Sequence, residues 1–270
     1  MNGISYIITT YNRNRLLERA IQSIIAERFL PSELIVVDDC GSQEISFSRQ
    51  VKAVWGKDIH LIHNTQNLGV IGARNVGIMA TKYDFLLFLD DDDESFPNRS
   101  KDLFAHISES DYAFVAAKCE MRLPSYLKIV PNTPEIILNT RSLMLFPAHI
   151  NGIIWQKAAL LSLNGMDNRV PYFGEHITMH LFLLKGKKAL QVEEIVAHFS
   201  YLKNGLTQNT TQRNAMKEQL LAFSEVLTAE SQNTPSHNYF VQINQLLPYQ
   251  NITTFDDYLS FVSTLIEEKA

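Results

Sequence analysis

The sequence predicts an α/β fold: a mainly parallel, doubly wound sheet flanked by helices, with a helical extension at the C-terminus. Three observations lead there. Through Leu89, short apolar runs alternate with segments of helical periodicity, the order that gives parallel strands joined by crossover helices. Each apolar run ends in a polar cluster, so the clusters share the carboxyl edge of the sheet, where such folds bind ligands. A chain of 270 residues with 46% hydrophobic and 20% charged residues suits one large α/β domain or a domain with a helical appendage, not a disordered or fibrous protein.

Taken in order, ISYIIT (Ile4 to Thr9) is a short apolar run that reads as a buried strand. Leu16, Leu17, Ala20, Ile21, Ile24 and Ile25 then recur at helical spacing. After Pro31, ELIVV (Glu33 to Val37) is a second strand, Val51 to Trp55 a helix and IHLIH (Ile59 to His63) a third strand. A glycine-bearing loop leads to a helix over Ala73 to Ala80 and to the strand FLLFL (Phe85 to Leu89). A helix over Arg99 to Ile107 and a strand over Tyr112 to Ala117 follow. Beyond them lies a long, poorly patterned stretch punctuated by Pro124, Pro131, Pro134 and Pro147. Helices are expected around Trp155 to Leu163 and over His176 to Leu184. From about Thr211 the pattern is helical, with Leu220, Leu221, Phe223 and Leu227, then Tyr258, Leu259, Val262, Leu265 and Ile266. The division expected is a domain over 1–210 and a helical extension over 211–270.

A formal net charge of -5 argues against a general nucleic-acid binder, which needs a basic face. The two cysteines, Cys40 and Cys119, have no metal-type spacing and make a thin disulfide framework, so a reduced, cytoplasmic setting is expected. The N-terminal run lacks a basic start and a cleavage site, and no apolar run reaches the roughly 18 residues of a membrane span. Peripheral contact with the inner face of the membrane stays open, although the last helix, with Glu267 and Glu268, suits packing better than anionic lipid.

The polar clusters are Thr9 to Arg13, Asp38-Asp39, Asn67 to Arg74, and the acidic run Asp90 to Glu94. Two unit charges about 5 Å apart interact by roughly 3 kcal/mol at an effective dielectric of ~20. Carboxylates crowded at a strand end must therefore be solvated, protonated or neutralised by a cation.

Four segments in this order, ISYIITTYNRNRLLERAIQSI, ELIVVDDCGS, NLGVIGARNVGIMAT and YDFLLFLDDDDESFP, resemble the family 2 glycosyltransferases, which have the nucleotide-sugar-binding GT-A fold. The likeness is good from about residue 3 to 105, looser to about 210 and absent beyond. It implies a metal-dependent, inverting hexosyl- or N-acetylhexosaminyltransferase. A UDP-linked donor would be used on a glycan or lipid-linked glycan acceptor in bacterial surface polysaccharide or lipopolysaccharide assembly. By the same resemblance Thr9, Tyr11 and Asp39 hold the nucleoside, Arg13 and Arg74 match basic positions near the base and diphosphate, and Asn67 is expected among the nucleotide-sugar-binding residues. Asp90, Asp91 and Asp92 fill the DxD-type pattern. Asp92 is then the principal ligand of Mn²⁺ or Mg²⁺, with Asp90 at the ribose or metal and Asp93 in support. In PYFGEHITMHLFLLKG the pair Glu175-His176 stands where the family commonly has Glu-Asp, so the expected Asp base has become His. Glu175 is the favoured base, with His176 orienting it or substituting for it; a carboxylate that merely complements the helix dipole is the competing reading.

His198 resembles the histidine of a loop that folds over the diphosphate, and Asn151-Gly152 opens an acceptor-side stretch. Trp155 could stack on an acceptor sugar or lie in the core. A homodimer contact through the terminal helices stays open. The alternative from another class is a non-catalytic nucleotide-sugar or metal-binding module, a degenerate transferase or receiver-like domain, since VVDD also suits a receiver's acidic pocket.

Overall fold

A computed structural model describes residues 2–123, 125–200, 210–250, 252 and 255–267. Its centre is one mixed sheet in the order β3-β2-β1-β4-β9-β6-β10-β5. The first four are β3 (Ile59–His63), β2 (Glu33–Asp38), β1 (Ile4–Thr10) and β4 (Phe85–Asp90), all parallel. Next, β9 (Ile153–Gln156) lies antiparallel between β4 and β6 (Tyr112–Arg122), and β10 (Lys188–Ser200) runs parallel to β6. The two-residue β5 (Glu94–Ser95) closes that edge against β10. Two short strands pair off the main path: β7 (Leu127–Val130) on β6 and β8 (Ile136–Ile137) on β10.

The strand pleat explains the layers, because successive side chains point to opposite faces. Ile4, Tyr6 and Ile8 of β1 share a core with α1 (Asn14–Ile25), α2 (Arg49–Trp55) and α4 (Arg99–Ile107). Ile7 faces the other way, towards α3 (Gly69–Ala80), α6 (Lys157–Ser162) and α7 (Gly174–Leu184). A third core joins the outer side of α7, through Phe173, Ile177 and Leu181, to α8 (Thr210–Glu230), α9 (His237–Leu246) and α10 (Phe255–Glu267). Among the described residues, no helix is long and apolar enough to cross a membrane.

Several expectations need correction. Trp155 sits on β9, not on a helix; helix α6 begins only at Lys157. Its ring is fully buried beside Phe114 and Phe182, so it is a core residue and does not stack on a sugar. The poorly patterned stretch contains β7, β8, a six-residue helix α5 (Thr140–Leu145) opened by an Asn139 capping box, and a 3-10 turn over Ile150–Gly152. The strand expected to end at Ala117 continues to Arg122.

Candidate active site

The site is assembled at the carboxyl edge of β1 to β4, and strand register does the assembling. Thr10 lies beside Asp38, Asp38 beside His63, and Thr9 beside Asp90. On the β2 side, buried Asp39 accepts through Oδ1 from the Leu68 amide at 2.9 Å and from Asn64 Nδ2 at 2.8 Å. Asn67 donates to the Asp39 carbonyl at 3.3 Å, so the glycine-bearing loop is tied down by the aspartate the resemblance assigns to the nucleoside. Asn12, in the left-handed region at φ 55°, accepts from the amides of Ser42 and Gln43 and docks the loop after β2 onto the loop after β1. Tyr11, next to it, is half exposed, and Thr9 is half-buried.

The acidic run divides into two groups. Asp91 accepts from Thr10 Oγ1 at 2.7 Å and from Arg13 Nη1 at 3.2 Å, and burial pushes its carboxyl up to about 6. Asp92 also pairs with Arg13, at 3.1 Å, and burial followed by the Asp90 charge raises it. Asp90 and Asp93 turn the other way. Asn151, fully buried, donates to Asp93 Oδ2 at 2.6 Å and accepts from the Asp90 amide at 3.1 Å, gripping both ends of the turn. Burial, the largest influence, would raise Asp90, but the Arg74 guanidinium at 2.7 Å together with smaller neighbouring contributions holds the carboxyl below its usual range.

Asp90, Asp93 and His149 each bring one ligand atom, all within 4.8 Å of one another. His149 stacks flat on Phe199, with ring centroids 4.0 Å apart, and burial pushes its imidazole down to about 4. The ring is therefore neutral and able to bind a metal at physiological pH. Two carboxylates and one imidazole fit a divalent cation. The imidazole tilts the set towards a transition ion such as Mn²⁺ rather than Mg²⁺. Asp92, the principal ligand by resemblance, lies outside this trio.

Glu175 opens α7, half-buried, with Oε2 3.4 Å from Arg74 Nη1. One buried guanidinium thus touches both Asp90 and Glu175. His176 lines a small cavity with Leu143, Met144, Phe173, Phe223 and Tyr258, against the C-terminal helices, and burial lowers its pKa. His198 lies within β10, paired with Glu94 of β5, with Nδ1 4.0 Å from Glu94 Oε2, rather than in a loop. The loop expected to fold over a diphosphate falls in 201–209, outside the described residues. A groove of about 320 Å³ lies apart from this centre, between α1 and the 44–47 segment; no acid of the run lines it.

Sequence reasoning missed His149 altogether and placed Asn151 only on the acceptor side. Their one available signal was polarity, HING, just ahead of a buried strand.

The family described as Glycosyl transferase family 2 matches residues 5–164. The putative colanic acid biosynthesis glycosyl transferase WcaA of Escherichia coli K12 is 33% identical over 138 residues, 48% of this chain and 50% of that protein. The GalNAc(5)-diNAcBac-PP-undecaprenol beta-1,3-glucosyltransferase of Campylobacter jejuni is 32% identical over 120 residues, 44% of this chain and 38% of that protein. Alignments thus span at most about half the length of these curated relatives. Among solved structures, S. aureus TarS 1-349 with UDP-GlcNAc superposes with a TM-score of 0.66 at 18% identity, covering 92% of this chain and 72% of that one. The mannosyltransferase PcManGT from Pyrobaculum calidifontis, in complex with GDP-Man and Mn²⁺, gives 0.61 at 15% identity, covering 92% and 74%. At these identities the structural likeness speaks for the fold, and the receiver-like alternative is set aside. The chain belongs to glycosyl transferase family 2 and has the GT-A fold.

Proposed function

We propose that this chain transfers a sugar from a UDP-linked donor to a hydroxyl of a glycan acceptor, with inversion and with help from a divalent cation, in bacterial surface polysaccharide assembly. The observation that carries the reading is the single buried Arg74 that joins Asp90, in the cation-competent trio, to Glu175. It would keep a cation site on the leaving-group side next to a candidate base.

In this mechanism Tyr11 packs on the nucleobase, Asp39 accepts from a base N–H, and Arg13 and Arg74 face the diphosphate. Asp90, Asp93 and His149 would hold the cation, which when bound offsets the charge growing on the leaving diphosphate. Asp92 would join them by giving up Arg13. Glu175 takes the proton of the acceptor hydroxyl as its oxygen bonds to the anomeric carbon. The bond from that carbon to the diphosphate oxygen breaks on the opposite face, and its electron pair leaves with UDP. His176, packed against the C-terminal helices, orients the start of α7. His198 braces the edge next to the acidic run.

The UDP assignment draws support from the TarS complex with UDP-GlcNAc, and the cation from the PcManGT complex with Mn²⁺. A lipid-linked acceptor draws support from the Campylobacter relative's name.

A thermal-shift panel of nucleotide sugars with Mn²⁺, followed by donor turnover for wild type, Asp90→Asn and Glu175→Ala, tests the reading. Stabilisation by one UDP-sugar is expected, with turnover lost in both variants. Turnover retained by Glu175→Ala would remove it as the base.

A further inference from the structure

We propose that helix α3 is a spacer fixing the distance between donor pocket and base, and that Asn75 is its positioning residue. The proposal rests on the functional reading above.

One end of α3 belongs to the donor side. Leu68, the residue before the helix, donates its amide to Asp39 Oδ1 at 2.9 Å, and Arg74 reaches Asp90 at 2.7 Å. Residues three and four apart share a helix face, so Ile71, Arg74 and Asn75 form one stripe. All three meet the segment that carries the candidate base. At Gly174 an added Cβ would lie 2.7 Å from Ile71 Cγ1, so the first residue of α7 sits directly against α3. Arg74 Nη1 stands 3.4 Å from Glu175 Oε2. Asn75 makes a reciprocal pair with the Met166 backbone: Nδ2 donates to its carbonyl at 2.9 Å, and its amide donates to Oδ1 at 2.7 Å.

That pair needs close approach. Gly165 has φ 102°, and a Cβ there would lie 2.5 Å from Asn75 Oδ1, so glycine alone fits both the backbone and the space. The position of Met166 then passes to α7 through Thr178. Its Oγ1 accepts from the Asp167 amide at 2.9 Å and donates to the Gly174 carbonyl at 2.7 Å. Glu175 is the next residue along.

Among the described residues, the side-chain hydrogen bonds of Asn75 go to the Met166 backbone and not to the acidic run, Glu175 or the donor loop. It acts through Met166 and Thr178, so its loss should disturb where the base stands and leave the nucleotide pocket intact. A misplacement of about 1 Å can cost on the order of 10²-fold in rate.

The test uses the full chain, Asn75→Ala and the milder Asn75→Ser, which keeps one hydrogen-bonding group. UDP binding in the presence of Mn²⁺ is measured by calorimetry. Turnover is measured as hydrolysis of whichever UDP-sugar the wild type cleaves fastest. The UDP Kd and donor KM should stay within about threefold, while kcat falls on the order of 30-fold or more in the alanine variant and less in the serine one. An unchanged kcat would overturn the proposal, and so would parallel loss of UDP binding and kcat, which marks a residue needed only for folding or for the donor pocket. Absence of turnover in the wild type would instead overturn the functional reading, and the proposal with it.

Discussion

Replacing Asn151 by alanine probes the acidic turn most sharply, because one fully buried side chain grips it at two points. The bond to the Asp93 carboxylate, 2.6 Å, is charge-assisted and contributes about 1.5–3 kcal/mol. The bond accepted from the Asp90 amide, 3.1 Å, is neutral and contributes about 0.5–1.5 kcal/mol. Their joint loss gives an expected destabilisation of about 2–4.5 kcal/mol. It should appear in urea as a lower midpoint at unchanged slope, since the surface exposed on unfolding is unaltered. Outer partners of metal ligands typically change metal affinity by about 10–100-fold, so the Mn²⁺ Kd should rise by at least tenfold. A stability loss below about 1 kcal/mol together with an unchanged Mn²⁺ Kd would refute the reasoning, because the turn would then hold its shape without Asn151.

Asp91 provides a pH signature. Its folded-state pKa of about 6 lies above its ordinary value of 3.8, so the folded chain binds a proton more tightly than the unfolded one. The ionised carboxylate therefore opposes folding above about pH 6, and that cost, on the order of 3 kcal/mol, is relieved as pH falls towards 4. Wild type should gain on Asp91→Asn by about that amount between pH 7 and 4 in urea titrations; a flat difference would contradict the buried setting. His149→Ala should weaken Mn²⁺ by about tenfold and Mg²⁺ much less, because the imidazole is the softer ligand; equal losses in cation titrations would take His149 out of the trio. Deleting the chain from residue 210 should expose Phe173, Ile177 and Leu181 and give an aggregating protein without a cooperative thermal transition. A monomeric, cooperatively folding fragment would support a domain boundary near 210 instead.

What could be read from the sequence followed burial and contiguity. Strands β1, β2 and β4 are buried on both faces, so they appear as unbroken apolar runs, and the charges that follow them fall at one edge because parallel strands start and stop together. Asp39, Arg74, Asp90 and Glu175 are legible as candidates on that logic or by resemblance. In contrast, β9 is four residues long and merges into the helix that follows, so helical spacing swallowed Trp155. The thirteen-residue β10 is interrupted between Gln191 and Ile195, where Glu193 and Glu194 break the register, and no run announces it. Asn151 meets Asp93 across 58 residues and His149 meets Asp90 across a comparable gap. Contacts of that kind exist only once β9 has slotted between β4 and β6. Which carboxylates join the cation-competent trio was equally hidden, because it depends on Arg13 claiming Asp91 and Asp92 while Asn151 positions Asp93.

Calorimetric titration of UDP, with and without Mn²⁺, into wild type and the Asp90→Asn and Asp93→Asn variants tests the central claim most directly. Mn²⁺ is expected to tighten UDP binding at least tenfold in the wild type and to have little effect in either variant. Equal UDP affinity with and without Mn²⁺, untouched by both substitutions, would contradict it.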